Sequence, residues 1–447
     1  MAKLTGIGVY KLLPKTNCGE CNFPTCMAFA MQVAAKKMAL EACPYVSEDA
    51  KQELAESAAP PMRTVTLGAG PRAVQMGGET VLFRHEEKFH HPTALAIRVR
   101  DTDDVAAEIN SIHHLKFIRS GKPVSVDLIA LEQAGDGKSF LAAAKLIRDS
   151  TELPAVLMST DLTAMADALE VLAERRPLVY AADKSNYQQM AQLSAKYRVP
   201  LAVKGETLEE LADLTTKIKQ TGVGDLVLAP AVGRMGEGLA CLTQLRRLAL
   251  EKNFRPLGYP VIVLTTAQDA VQEALQAIIY ECKYASIVVM RGKQAWQLLP
   301  VLTARYNIFT DPQVPNAVEA KVYKVGEPTP DSPVLVTTNF ALTYFTVEGE
   351  VENSKVSAYI TAVETGGLGV LNSYADDKLT GETIAKAVKA SGILTQVRHK
   401  KLIIPGLVAV LKGELEDEAG CEVVVGPEEA AGIPNFLKTE WRLQVGG

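Results

Sequence analysis

Ala155-Val156-Leu157-Met158, then Ser159-Thr160-Asp161, then Leu162 to Glu174, then Leu178-Val179-Tyr180-Ala181 is the stretch on which the fold turns. A short wholly apolar run reads as a buried strand, the longer stretch behind it carries a helical pattern, and a second apolar run follows. Strand, helix and strand in that order point to a parallel sheet covered by helices. The same unit recurs on both sides. Strand-like runs lie at Ala94 to Val99, Val124 to Ala130, Leu201 to Val203, Leu226 to Leu228, Val261 to Leu264 and Ile287 to Met290, which with the two above makes eight. Helix-patterned stretches follow them, among them Asp104 to Ile118, Leu208 to Lys219 and Gln268 to Glu281. Eight buried strands at intervals of roughly twenty-five to thirty residues predict a (β/α)8 TIM barrel. A pair of strands, Thr64 to Leu67 and Thr80 to Phe83, is expected just ahead of it, around the turn Gly77-Gly78.

The carboxyl ends of barrel strands are where active sites form. Here they offer Arg98, Arg100, Asp127, Thr160, Asp161, Asp183, Lys204, Thr265 and Thr266. Asp, Ser and Thr at such positions ordinarily cap the next helix, and that reading outweighs catalysis. His85, His90 and His91 fall in a charged, solvated loop, and the adjacent His113 and His114 lack the i, i+4 spacing of paired ligands.

Ahead of the barrel, Cys18-Gly19-Glu20-Cys21-Asn22-Phe23-Pro24-Thr25-Cys26 is followed by Cys43-Pro44. Four of the chain's seven cysteines lie in this one segment. Thiolates are soft ligands. Close C-x2-C and C-x4-C spacings with a distant fourth cysteine before proline suit a [4Fe-4S] cluster, whereas structural zinc more typically pairs two knuckles. Thr25 to Lys37 reads as a helix. A straight helix from Cys26 to Cys43 would hold the two about 25 Å apart, so the helix must stop near Lys37 and the chain must return. A short helix from Ser47 to Ala58 ends at Pro60-Pro61, and this brief tether predicts a cluster domain mobile enough to be cut between residues 45 and 62. Cys241, Cys282 and Cys421 are scattered singly and carry no expected role.

Behind the barrel, Gly326-Glu327-Pro328-Thr329-Pro330-Asp331-Ser332-Pro333 reads as a stiff interdomain linker. It opens a small doubly wound α/β region with strands expected at Val334 to Thr338, Ser357 to Thr361, Lys401 to Ile404 and Glu422 to Val425. Ligands of open parallel sheets lie beyond the carboxyl ends of the strands. The candidates there are Thr338, Asn339 and Phe340, Thr346 on the following helix, Gly369, Val370, Leu371, Asn372 and Ser373, and the closing pair Gly432 and Ile433. No G-x-G-x-x-G follows the first of these strands, which argues against a nicotinamide site. The expected division is residues 1–59 for the cluster, 60–325 for the barrel and 326–447 for the last domain.

A net charge of -5 and 47 % hydrophobic residues exclude a basic nucleic-acid or membrane surface. No run of about eighteen apolar residues is present and the first residues carry no signal pattern, so a cytoplasmic location is expected.

Taken together, the spacing Cys18-x2-Cys21-x4-Cys26-x16-Cys43 ahead of a barrel and a small doubly wound domain resembles the large (gamma) subunit of the corrinoid iron-sulfur protein of the reductive acetyl-CoA pathway. The resemblance covers the full length, and its C-terminal part rests on fold order and loop residues. It implies a methyl carrier. A methyl group from methyltetrahydrofolate would be taken from a methyltransferase onto the cobalt(I) of a corrinoid and passed to acetyl-CoA synthase/CO dehydrogenase, with a [4Fe-4S] cluster on the four cysteines restoring cobalt(I). It also implies a heterodimer with the small subunit and a corrinoid on the C-terminal domain. None of the six histidines has Asp two residues before it, so cobalt without a protein ligand below is expected. Two alternatives stay open from the residues themselves. The C-terminal domain could hold FMN in an iron-sulfur flavoprotein, or the barrel could be a pterin-dependent methyltransferase.

Overall fold

The computed structural model describes residues 6–35, 37–47, 51, 60–119 and 121–441. These form two compact units, one of residues up to 117 with 124–309, the other of 118–123 with those from 310 onward. The short helix expected from Ser47 to Ala58, and the tether behind it, lie for the most part outside the described residues.

In the first unit the eight apolar runs become one eight-stranded parallel sheet: β1 (Ala94–Arg100), β2 (Leu128–Glu132), β3 (Ala155–Met158), β4 (Leu178–Ala182), β5 (Leu201–Gly205), β6 (Leu226–Pro230), β7 (Ile262–Leu264) and β8 (Ile287–Met290). Neighbours pair in chain order and β8 returns to β1. The remaining gap, β6 to β7, is bridged at Leu228↔Val261, where the Leu228 N–H donates to the Pro260 carbonyl at 2.7 Å. The sheet is therefore a barrel. Alternation along the strands sends one set of side chains inward, including Ala96, Leu128, Val156, Leu178, Val227 and Val289. The other set packs beneath the ring of helices. Val65, Leu67 and Met76 join the inner cluster, so the short hairpin ahead of the barrel contributes to its filling.

That hairpin differs from expectation. Val65–Leu67 pairs antiparallel with Val74–Met76, not with Thr80 to Phe83, which form no strand. The nearer run closes a shorter loop at a smaller entropic cost, and Gly77 and Gly78, both at positive φ, then turn the chain away. Asp127 differs too. β2 starts at Leu128, so Asp127 sits at the amino end of its strand, where its carboxylate accepts from Leu95 N–H and Arg305.

The second unit holds a five-stranded sheet of β9 (Val322–Val325), β10 (Val334–Thr338), β11 (Ala358–Val363), β12 (Lys401–Ile404) and β13 (Glu422–Val425), in the order β9-β11-β10-β12-β13. All pairs are parallel except β9 with β11. Separate apolar clusters cover its two faces, as a doubly wound fold requires. The stretch Gly326 to Pro333, read as an interdomain linker, instead connects β9 to β10 within this one sheet. No described helix is long and apolar enough to cross a membrane.

Candidate functional site

The cysteine segment is built on two helices, α1 (Gly6–Leu12) and α2 (Cys26–Ala34). Thr25 caps α2 by accepting from Ala28 N–H, and the helix ends two turns on, at Ala34. The return demanded by the spacing follows through the 3-10 turn Leu40–Ala42, which delivers Cys43. Cys21, Cys26 and Cys43 are buried in one small core with Val9, Leu13, Phe29, Ala30, Val33, Leu40 and Val46, while Cys18 is exposed. The loop between the helices takes left-handed backbone at Asn17, Gly19 and Asn22, residues that tolerate it.

Two polar links lie outside the thiols. The Asn17 carboxamide oxygen accepts from Cys26 N–H at 2.8 Å, and the Asn17 N–H points back to the Cys26 sulfur at 3.4 Å. Farther out, the Tyr45 hydroxyl donates to Glu20 at 2.7 Å, which raises the phenol above its ordinary pKa and joins the first knuckle to the arm that carries Cys43. Among the described residues no group of three or more His, Cys, Asp or Glu side chains has the closeness a single metal ion requires. Four soft thiols, three of them in one apolar core and one accepting an N–H, are a donor set that fits an iron-sulfur cluster.

In the second unit, strand order reverses at β10, whose neighbours are β11 on one side and β12 on the other. Beyond the carboxyl ends of β10 and β12 lies a cavity of about 320 Å³, at the topological switch point where such sheets bind ligands. Thr337, Thr343, Pro405, Leu407 and Gly426 line it, together with five of the residues singled out from sequence: Gly369, Val370, Leu371, Asn372 and Ile433. Thr337 is 1 % exposed, and its hydroxyl has no hydrogen-bond partner. A buried donor left unmade is unfavourable by about 1–3 kcal/mol.

The other predicted residues do not line the cavity. Asn339 is buried, and its side-chain oxygen accepts from Thr365 N–H, the Thr365 hydroxyl and Gly367 N–H, which fixes the glycine turn ahead of Gly369. At that turn a Cβ on Gly367 would sit 2.9 Å from the Pro315 side chain at φ +71°, so only glycine fits. Phe340 caps the helix Ala341–Ser354 and flanks Gly369. Thr338 and Ser373 are fully buried, Thr346 donates to Leu342 O on the helix surface, and Gly432 packs by Pro427. Sequence reasoning passed over Thr343, Leu407, Gly426 and Pro427. Gly426-Pro427 directly after a strand is a turn signal that would have found two of them.

A family model described as "CO dehydrogenase/acetyl-CoA synthase delta subunit" matches residues 64–437, and one described as "Putative Fe-S cluster" matches residues 13–45. The corrinoid/iron-sulfur protein large subunit of Moorella thermoacetica is 48 % identical, over 97 % of this chain and 98 % of its own. The chain belongs to that family. Gamma subunits of the acetyl-CoA decarbonylase/synthase complex are also similar: that of Methanothermobacter thermautotrophicus at 38 % over 97 % of this chain and 98 % of its own, and that of Methanopyrus kandleri at 34 % over the whole of both.

For a corrinoid/iron-sulfur large subunit the histidines matter. Five of the six lie in the first unit, and His399, in the second, uses both ring nitrogens, one on Ser332 O and the other on Lys401 N–H. None lines the cavity at the switch point.

Proposed function

We propose that this chain is the corrinoid-bearing methyl carrier of an acetyl-CoA-forming system, with the cluster domain ending near Pro60, the barrel near Phe309 and the corrinoid domain beginning near Thr310. The observation that carries the reading is the cavity at the β10/β12 switch point with its unpartnered Thr337 hydroxyl, in a chain of this family. When bound, the corrinoid would supply a cobalt centre that takes a methyl group from methyltetrahydrofolate through a methyltransferase and yields it to acetyl-CoA synthase.

The chain's own residues supply the seat. Gly369, Val370, Leu371, Asn372 and Ile433 wall the cavity, Thr337 offers its hydroxyl, and Asn339 holds the Gly366–Gly369 turn in place. A cavity of about 320 Å³ is at the small end of ligand sites, so it takes only part of a macrocycle with its tail. Among its lining residues Leu371 and Leu407 are 52 % and 42 % exposed, an apolar rim suited to a covering small subunit. No histidine lines the cavity, so a corrinoid seated there would take no imidazole ligand from these walls. Cys18, Cys21, Cys26 and Cys43 hold a [4Fe-4S] cluster as the electron source. The chain acts in the cytoplasm.

An anaerobic absorption spectrum with metal analysis of the full chain, purified with its partner subunit, tests this. Iron and cobalt together are expected, and alanine at any one of the four cysteines should abolish the reduced-cluster signal. Flavin without cobalt, or stoichiometric zinc without iron, would overturn the reading.

A further inference from the structure

Cluster sites are tuned as much by the groups around the sulfurs as by the sulfurs themselves, because a hydrogen bond to a thiolate stabilises the more negative, reduced state. Asn17 is placed to act this way. Its side chain reaches nine residues along the chain to the Cys26 N–H, and its own N–H returns to the Cys26 sulfur. The two bonds close a ring between the residue preceding Cys18 and the first residue of α2, so the first knuckle cannot drift from the third ligand. The ring needs a residue that accepts through a short side chain and stands at φ +50°. Asn and Asp meet both conditions, Gly meets the second alone, and Ala meets neither.

We propose that Asn17 is the positioning residue of the cluster, its side chain setting how firmly iron is held and, by holding the Asn17 backbone N–H on the Cys26 sulfur, how readily the cluster is reduced. The inference rests on the iron-sulfur reading given above. The outer link from Tyr45 to Glu20 is its natural control. It joins the same knuckle to the Cys43 arm, but both partners are exposed and neither touches a sulfur in a hydrogen bond.

The test compares Asn17→Gly, Asn17→Asp and Tyr45→Phe in the full chain. Iron per chain, the rate of iron loss to a chelator, and the midpoint potential of the cluster by dye-mediated titration are the readouts. Asn17→Gly should lose iron about tenfold faster and shift the midpoint to a more negative value. Asn17→Asp, which keeps the acceptor and the backbone conformation, should restore the slow iron loss. Tyr45→Phe should leave the midpoint where it was. Asn17→Gly with wild-type midpoint and wild-type iron retention would overturn the proposal. Should Asn17→Gly not load at all, the native residue still answers. Asn17 and Asn22 are the only asparagines in the first fifty residues, so an Asn22→Asp chain labelled with [15N]asparagine should show a 15N coupling to the reduced cluster by pulsed EPR. A reduced cluster lacking that coupling overturns the proposal, whereas a wild-type chain with no cluster signal at all defeats the iron-sulfur reading itself.

Discussion

At the carboxyl ends of several barrel strands polar side chains are engaged with neighbouring groups. Asp161 caps its helix through Thr163 and Ala164 N–H, Arg98 pairs with Glu132 at 3.4 Å, and Asp183 accepts from Ser185 N–H. Glu273 receives Thr265 hydroxyl, Arg291 N–H, Gly292 N–H and Gln297 amide, all within 3.0 Å. At the carboxyl end of β10, in contrast, Thr337 lines a cavity and its buried hydroxyl has no partner. Both regions are parallel sheets under helices, and both place polar residues where ligands bind in such folds. Polar satisfaction separates them. A network whose members already bond each other has nothing left for a ligand, while an orphaned hydroxyl beside a void does. On the function proposed above, the small sheet binds the corrinoid and the barrel is its scaffold.

Filling space should expose the difference most sharply. At Gly369 a Cβ would lie 3.5 Å from Phe340 and 3.8 Å from Thr343, which is ordinary contact. Gly369→Trp should then fold normally, with Tm changed by under about 2 °C, yet lose most of its bound cobalt while keeping its iron. The same kind of change in the barrel behaves differently. A Cβ at Gly238 would meet the Tyr280 ring at 2.6 Å, so Gly238→Val should destabilise by about 1–3 kcal/mol with the cobalt-to-iron ratio unchanged. Thermal melts with metal analysis of both variants decide the matter. Next in size, Glu273→Ala would leave four donors and the Arg291 charge without their acceptor, a loss of about 3 kcal/mol, again at constant cofactor content per folded chain.

Much of this contrast is legible in the sequence, for reasons that differ by region. Buried parallel strands must be apolar on both faces, so most of the barrel strands stand out as continuous runs, whereas Val124 to Ala130 joins the end of a separate strand, Lys122–Ser125, to the start of β2. The cysteine spacing likewise forces the chain to turn back at the end of α2. β9 was invisible because Val322-Tyr323-Lys324-Val325 is a half-exposed antiparallel edge with no run to see. Thr80 to Phe83 has strand composition, but Val74–Met76 already occupies the available edge. Composition could place Asn339 near the ligand. It could not tell that Asn339 is committed to three donors in a turn while Thr337 is left alone, since hydrogen bonding across strands is decided by register and packing.

A smaller effect comes from a deeply buried barrel carboxyl, one of whose oxygens has no hydrogen-bond partner. Glu281, on the helix Ala270–Cys282, is 2 % exposed, and burial pushes its carboxyl up to about 9 against the opposing pull of Arg305. Its folded pKa is thus above the ordinary value of 4.5. The folded state holds a proton that the unfolded chain releases, so stability is complete below pH 4.5 and declines as pH rises toward 9. Glu281→Gln, which carries no titrating group, should escape that decline. Its Tm advantage over the wild type should grow between pH 5 and pH 9, and a constant difference across that range would show that the carboxyl is ionised in the fold.

The finest test turns on single hydroxyls. Thr337→Val keeps shape and removes the orphaned donor, so in cofactor-free protein it should be more stable than the wild type by about 1 kcal/mol. If a bound corrinoid supplies the missing partner, the same substitution must weaken binding, by roughly threefold to tenfold for one hydrogen bond. The two effects have opposite signs, which few substitutions at an ordinary core position would show. Thr338→Val separates them. Thr338 is also fully buried with an unpartnered hydroxyl, but it does not line the cavity. It should therefore give the gain in stability without the loss in affinity. Equal affinity losses at Thr337 and Thr338 would mean that the sheet as a whole, not the switch-point cavity, answers to the ligand. A Thr337→Val chain less stable than wild type without cofactor would mean that the hydroxyl is already satisfied, and the distinction drawn between the two sheets would fall with it.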